Sequence, residues 1–570
     1  MDSILQHSLS SVRDLIGLQL VSRLFTFVLN QGLVRLASPR AYGTVAVQFE
    51  LFTSTILFLS REGIRNALLR VWPQKRMHPQ SKKDKIQAAQ CANLATLPVL
   101  LGIPITFLAA ATYMCTVSED ARQQPHFNLA LFIYAAAAVV ELCSEPMHNR
   151  AMGEGCTSTR VRAEGLGISS KTVVTYLALL YDTRLGEQKS TLLAFALGQL
   201  TYGVVVFVMY TVKVPDSRLW PTRLHLDPSE QTSRRQWLAE FFDPTTFYLS
   251  VTMTLQSIVK HFLTEGDKLL VSYWSPLKDQ GGYAIAVNYG SLIARIVFQP
   301  IEEICRVYFS RVLSHSTGPK RSSSDGKSMT DMTLKQASDA IEALLSIQIV
   351  FSILVVTFGS LYLPMVVQVL LPSQYLATSA SQVLSAWVWY IPFLAINGGL
   401  EAFHSSTATP EDLRKQSWYA GPFMISSSVS WTCRWMLVYS SMYIISAILF
   451  YRLGFGDASL VYANVVNLST RIVYTMLFTL HFFRKHMNCS APFGLADVLP
   501  DWRFLVAVAV SYVVISVNES KQHVMELRAL VSVSVLLHFS LGVVMGLVCV
   551  ATWWTTAGRR MVIQVKPKVD

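Results

Sequence analysis

Two neighbouring apolar runs of this 570-residue chain carry charges where a membrane interior should forbid them. They lie within 260–311 and are joined by a Ser-Pro/Gly-Gly turn. Lys260, Glu265, Asp267 and Lys268 sit in the first run; Arg295, Glu302, Glu303 and Arg306 sit in the second. A charge at the centre of a membrane helix costs about 2.5–3.5 kcal/mol on insertion scales, so such groups persist where they face water or pair with one another. At about 100° per residue, Asn288, Ser291, Arg295, Gln299, Glu302 and Arg306 fall within about 40° of one line. That makes a polar stripe on an otherwise apolar helix, with Pro300 placed to kink it. The chemistry it offers is the binding of an anion: arginine meets phosphate through its bidentate fork.

Other residues extend the set. Arg35, Arg61 and Arg65 add cations near the ends of earlier apolar runs, and Lys260, Lys268, Arg295 and Arg306 complete the candidates for contact with a phosphate headgroup. A second reading is that pairs such as Glu302/Arg306 and Glu265/Lys268 brace their own helices at i,i+4 and i,i+3. Glu141 and Glu145 lie one turn apart before Pro146, and two like charges there imply a shared proton or a basic partner on another helix. Asn397, Glu401 and His404 share a helical face beside Gly398-Gly399, a pair that lets a helix unwind or pack closely.

The elements that must carry these groups are membrane helices. The chain is 52% hydrophobic and 15% charged, with mean hydropathy +0.37. A soluble protein carries roughly 25% charged residues. Apolar runs recur near 14–36, 43–62, 87–114, 127–148, 162–182, 190–212, 246–274, 283–306, 338–363, 379–402, 423–450, 459–483, 503–518 and 529–554. The fold class is therefore an all-α polytopic membrane protein with about fourteen transmembrane helices. Basic residues gather in even-numbered loops and the tail, which places both termini in the cytosol by the positive-inside rule. The net charge of +12 follows those loops and is not a nucleic-acid footprint. Residues 417–451 fit least well, being too long for one straight helix and too short for two.

A weak internal repeat organises the spans. At a shift of 241 residues, Tyr42, Leu51, Glu62, Arg65 and Arg70 fall on Tyr283, Leu292, Glu303, Arg306 and Arg311. Six spans separate the matched segments, which is the two-lobed plan of many transporters. The expected domains are a six-helix lobe at 1–212, a cytosolic connection at 213–245 and a second six-helix lobe at 246–483. Two further helices and a tail occupy 484–570. The lobes are expected to surround a central cavity.

Several functions are disfavoured. No Walker A motif, H-E-x-x-H or G-x-S-x-G is present, so neither an ATP-driven pump nor a common hydrolase is indicated, and no cofactor or metal is expected. The eight cysteines contain no C-x-x-C pair and read as buried thiols. No cleavable signal peptide is evident. Sequons occur at Asn467, Asn488 and Asn518, each within a span, on the cytosolic side or close to the membrane. The C-terminal Lys566-Pro567-Lys568-Val569-Asp570 has the form of a dilysine retrieval signal for the endoplasmic reticulum.

The segments FVLNQGLVRLASPRAYG, FLSREGIRNALLR, HFLTEGDKLL, YGSLIARIVFQPIEE and YIPFLAINGGLEAF resemble the family of eukaryotic dolichol-linked oligosaccharide translocation proteins. That family belongs to the multidrug/oligosaccharidyl-lipid/polysaccharide flippase superfamily. The resemblance implies a non-enzymatic protein of the endoplasmic reticulum membrane needed for protein N-glycosylation. It implies movement of a dolichyl-diphosphate-linked heptasaccharide from the cytosolic to the lumenal face, without ATP. The partners implied are the dolichol-linked oligosaccharide, the membrane lipid and proteins of the glycosylation pathway. Two rivals stand beside it: an accessory protein that binds this lipid without moving it, and a cation-coupled exporter using Glu141 and Glu145.

Overall fold

The computed structural model describes residues 27–72, 82–184, 189–215, 217–223, 241–314, 324–407, 434–486, 498–522 and 533–558. Among them the chain is helical and without strands, and ten helices are long and apolar enough to cross a membrane. Every expected span overlaps a helix. Of the first, residues 27–36 are described, and we call this helix α1. Then follow α2 (Pro39–Val71), α3 (Ile86–Thr116), α4 (Phe127–Gly153), α5 (Thr157–Arg184) and α6 (Thr191–Lys213). The part of 417–451 before Arg434, and the C-terminal retrieval motif, lie outside the described residues.

The seventh expected span is two helices, α7 (Pro244–Thr264) and α8 (Gly266–Trp274), broken at Glu265, whose backbone leaves helical geometry. The eighth is α9 (Leu277–Ser310). Its irregularity is a π-helical turn, Ala294–Phe298, just before Pro300. Proline has no N–H for the carbonyl four residues back, and widening the preceding turn absorbs the misfit. Next come α10 (Ser324–Leu370), α11 (Ala380–Thr407), α12 (Arg434–Phe450), α13 (Ala458–His486), α14 (Trp502–Gln522) and α15 (Val533–Trp553). The Gly398-Gly399 pair does not unwind α11, which runs unbroken. A Cβ at Gly399 would lie 2.7 Å from the Gln348 amide oxygen of α10, so the glycine serves close packing.

Local sequence sets several helix starts. Ser38 accepts a hydrogen bond from the Ala41 N–H at 3.3 Å, with Pro39 in the first helical position of α2. Asp243 does the same for Thr246 at 2.9 Å, ahead of Pro244. Both pair a capping side chain with the proline whose missing N–H would have been unsatisfied there anyway.

The chain divides into two compact units, Met1–Ala284 and Ile285–Asp570. In the first, α2 is the hub. It packs on α7, α3 and α4, around a buried core that includes Phe49, Phe52, Ile56, Phe127, Tyr134 and Leu142. The start of α2 crosses the start of α9 so closely that a side chain on Gly43 would collide with the Leu277 carbonyl oxygen, and one on Gly281 with that of Pro39. In the second unit, α11 packs on α13, α10 and α9, with a core around Phe309, Ile341, Leu400, Phe403 and Phe483. The last two helices attach to α10, where Tyr362 donates to the His538 carbonyl at 2.8 Å.

Candidate functional site

Arg61 and Arg65 stand one turn apart near the end of α2, and Glu141 and Glu145 one turn apart on α4. The two pairs meet. Arg61 Nη1 donates to Glu141 Oε1 at 2.6 Å and to Glu145 Oε1 at 3.2 Å. Arg65 holds Glu145 with both arms of its fork, Nε to Oε2 at 2.8 Å and Nη2 to Oε1 at 2.5 Å. Glu145 also begins the short helix Glu145–Gly153, so its carboxylate sits at a helix N-terminus as well. The basic partner that the repelling glutamates required is on the neighbouring helix.

The other candidates of the first unit are also engaged. Lys268 reaches Glu50 of α2 at 3.1 Å and Glu265 at 3.0 Å, which ties α8 to α2. The Tyr283 hydroxyl donates to Asp267 at 3.4 Å. Arg35 is exposed at the end of α1. Lys260 lies on α7, and its side chain falls outside the described residues. A polar chain runs across the opposite end of α2, where Tyr113 donates to Gln48 at 2.7 Å and Gln48 to Gln280 at 2.9 Å.

In the second unit the predicted stripe forms in two pieces. Arg295, on the π turn, bends back and donates to both the backbone and side-chain oxygens of Asn288, each at 2.7 Å, and to the Ser291 carbonyl at 3.4 Å. Beyond Pro300, Arg306 pairs with Glu302 of its own helix at 2.6 Å. Gln299 and Glu303 are exposed on the same helix. Asn397 donates to Glu401 at 3.0 Å, as their spacing predicted, and Glu401 accepts from Arg471 of α13 at 2.6 Å. His404 is not part of this group. It is buried against the rings of Tyr474 and Phe478.

The two sets differ in exposure. Side chains of the first-unit pairs are 19%, 6%, 18% and 0% exposed for Arg61, Glu141, Arg65 and Glu145. Those of the second are 49%, 28%, 33% and 32% for Arg306, Glu302, Arg471 and Glu401. Closed pairs brace helices; half-exposed charges on membrane helices need water or a polar ligand to face.

The Rft protein family model matches residues 7–565. The chain belongs to the Rft protein family. The Man(5)GlcNAc(2)-PP-dolichol translocation protein RFT1 of Yarrowia lipolytica is 32% identical over 521 residues, which cover 85% of this chain and 71% of that protein. The protein of the same description from Schizosaccharomyces pombe is 32% identical over 525 residues, covering 90% of this chain and 89% of its own. Among solved structures, the lipid II flippase MurJ in its inward closed conformation superposes with a TM-score of 0.53 at 12% identity, over 94% of this chain and 99% of that chain. At that identity the likeness is one of fold, and it gives this Rft protein an all-α polytopic membrane fold.

Two further cations of this Rft protein lie outside the residues singled out in the sequence. Arg471 and Lys171 each stand near the middle of an expected span, the same signal that singled out Arg295. Lys171 of α5 donates to Gln199 of α6 at 2.6 Å.

Proposed function

We propose that this protein translocates a dolichyl-diphosphate-linked heptasaccharide from the cytosolic to the lumenal face of the endoplasmic reticulum membrane. The observation that carries the reading is membership of the Rft family together with the translocation role in the names of relatives that align along most of the chain. The protein acts without catalysing a covalent reaction, has both termini in the cytosol, and works as six-helix lobes at 1–212 and 246–483, joined by 213–245 and followed by two helices and a tail in 484–570. Those assignments rest on the loop charges and the sequence repeat.

The physical obstacle is the diphosphate, whose charge is prohibitive in hydrocarbon unless the protein supplies water and counter-charge. In this reading Arg295, held by Asn288 at 2.7 Å, supplies positive charge to the headgroup. The half-exposed Glu401–Arg471 and Glu302–Arg306 pairs keep the polar path hydrated. The polyprenyl chain stays in lipid.

The test uses purified protein in liposomes loaded with the lipid-linked heptasaccharide and an impermeant glycosidase outside. Protein-dependent loss of the protected half of the lipid supports translocation. Tight binding with the protected half intact would replace it by the accessory reading, and one observation favours that second reading: Arg61, Arg65 and Lys268 are already matched by carboxylates.

A further inference from the structure

Glu50 stands 11 residues after Pro39 and 21 before Val71 on α2, about 16 Å of helix from the nearer end. Its side chain is 59% exposed. No other residue of α2 between Ala41 and Leu68 is exposed. A helix that meets lipid shows it in exposed apolar residues, as α5 does with Leu166, Val173 and Leu177. Over this stretch α2 shows none, because α3, α4 and α7 pack against it. The opening at Glu50 is therefore not a lipid face, and a carboxylate there needs water or a polar ligand to meet.

The neighbours of Glu50 keep it open. Ala46 and Ser54, one turn before and one turn after, fall about 40° to either side of it. Both are small, and the Ser54 hydroxyl turns back to the Leu51 carbonyl at 3.1 Å. Glu50 Oε1 accepts from Lys268 at 3.1 Å, and this is the one bond of the Glu50 side chain among the described residues. A carboxylate offers about four acceptor positions, so most of its capacity is unused.

The surrounding charge narrows the ligand. Lys268 is shared between Glu50 and Glu265, Asp267 stands next to it in the chain, and Lys171 of α5 acts on Glu50 through space. Two ammonium groups beside Glu50 disfavour a metal cation, and the further carboxylates disfavour a phosphate. What suits an exposed carboxylate in a nearly balanced charge environment is an uncharged hydrogen-bond donor, the chemistry of a sugar hydroxyl.

We infer that Glu50, held by Lys268, accepts hydrogen bonds from sugar hydroxyl groups of the lipid headgroup, so that this part of the first unit reads the saccharide and not the phosphate. This rests on the translocation reading, which itself makes no use of Glu50.

The experiment measures binding of the lipid-linked heptasaccharide, the free heptasaccharide and farnesyl diphosphate to the full-length purified protein. Wild type, Glu50→Ala, Glu50→Gln and Ala46→Leu are compared after thermal unfolding shows each to be folded. Glu50→Ala should weaken binding of the lipid-linked heptasaccharide at least tenfold, the worth of a hydrogen bond to a charged group, and leave farnesyl diphosphate within twofold of wild type. Glu50→Gln keeps an acceptor oxygen and should lose less. Ala46→Leu covers the open side without touching the ion pair and should lose as Glu50→Ala does. Unchanged binding of the lipid-linked heptasaccharide in Glu50→Ala overturns the assignment. Equal loss for both lipids also overturns it, reducing Glu50 to a brace between α2 and α8. Should Glu50→Ala not fold, Ala46→Leu decides, since unchanged binding there overturns it too. Binding that requires sodium ions and is lost equally in Glu50→Gln and Glu50→Ala overturns it in favour of a cation site. Free heptasaccharide bound as tightly as the lipid-linked form overturns the lipid source. Wild type that binds none of the three defeats the translocation reading and this assignment with it.

Discussion

The ends of α2 and α9 carry matched residues at the shift of 241, yet their charges are wired differently. Position 65 and position 306 are both arginine, whereas arginine at 61 corresponds to glutamate at 302. In the first unit both arginines of α2 are available to α4, and they neutralise Glu141 and Glu145 across the helix interface. In the second unit Glu302 takes Arg306 within its own helix. The glutamate of α11, Glu401, is then met by a cation from another helix, Arg471 of α13. A single reversal of sign accounts for one closed, interhelical cluster and one open pair of bridges. The lesson is that identical residue types at repeated positions do not fix pairing; the sign one turn away does.

The largest effect should come from opening the closed cluster. Glu145→Ala removes the buried carboxylate that two partly buried guanidinium groups share, and breaking a buried pair from one side costs about 3–5 kcal/mol. Fluorescence-detected size exclusion after heating should show most of the protein lost. The double variant Arg65→Leu with Glu145→Leu should recover part of that loss, since removing both partners spares the stranded charge. Equal stability of Glu145→Ala and wild type would break the comparison.

Next is the packing that presents those arginines. Gly63 lies between them on α2, and a Cβ there would run into the backbone of Thr254 on α7. Overfilling such a contact costs about 1–3 kcal/mol. Gly63→Ala should lower the thermal midpoint clearly, though less than Glu145→Ala in the same assay.

The smallest effect on stability, and the sharpest on the comparison, should come from Glu302→Arg, which gives α9 the charge pattern of α2. The Glu302 carboxylate lies 3.5 Å from the Cβ position of Gly398, near Glu401 on the same helix, so an arginine there reaches α11. The fold should change by about 1 kcal/mol or less, as at other half-exposed sites. Transport by the liposome assay should drop while thermal stability holds.

Much of this was legible beforehand, for identifiable reasons. Apolar runs of membrane length located the helices, because hydrocarbon thickness sets their size. Spacing of two turns placed Arg295 on the face of Asn288, and spacing of one turn placed Asn397 beside Glu401 and Glu302 beside Arg306. The same spacing put Arg61 with Arg65 and Glu141 with Glu145, but periodicity reports a helix face and not the neighbour it meets. The partnership between those pairs therefore emerged only in three dimensions. His404 shared a face with Glu401 on paper, and the aromatic rings of α13 claimed it instead. The break at Glu265 and the π turn before Pro300 depend on how the backbone absorbs local misfit, which residue patterns flag without specifying.

The most direct test sets Glu401→Gln beside Glu145→Gln in the liposome assay, with rates normalised to folded protein. Under the proposed function the half-exposed bridge would line the headgroup path and the buried cluster would serve the scaffold. Glu401→Gln should lose at least tenfold in rate per folded molecule, whereas whatever Glu145→Gln protein folds should translocate at close to the wild-type rate. Full activity in Glu401→Gln, with Glu145→Gln folded but inactive, would contradict the account.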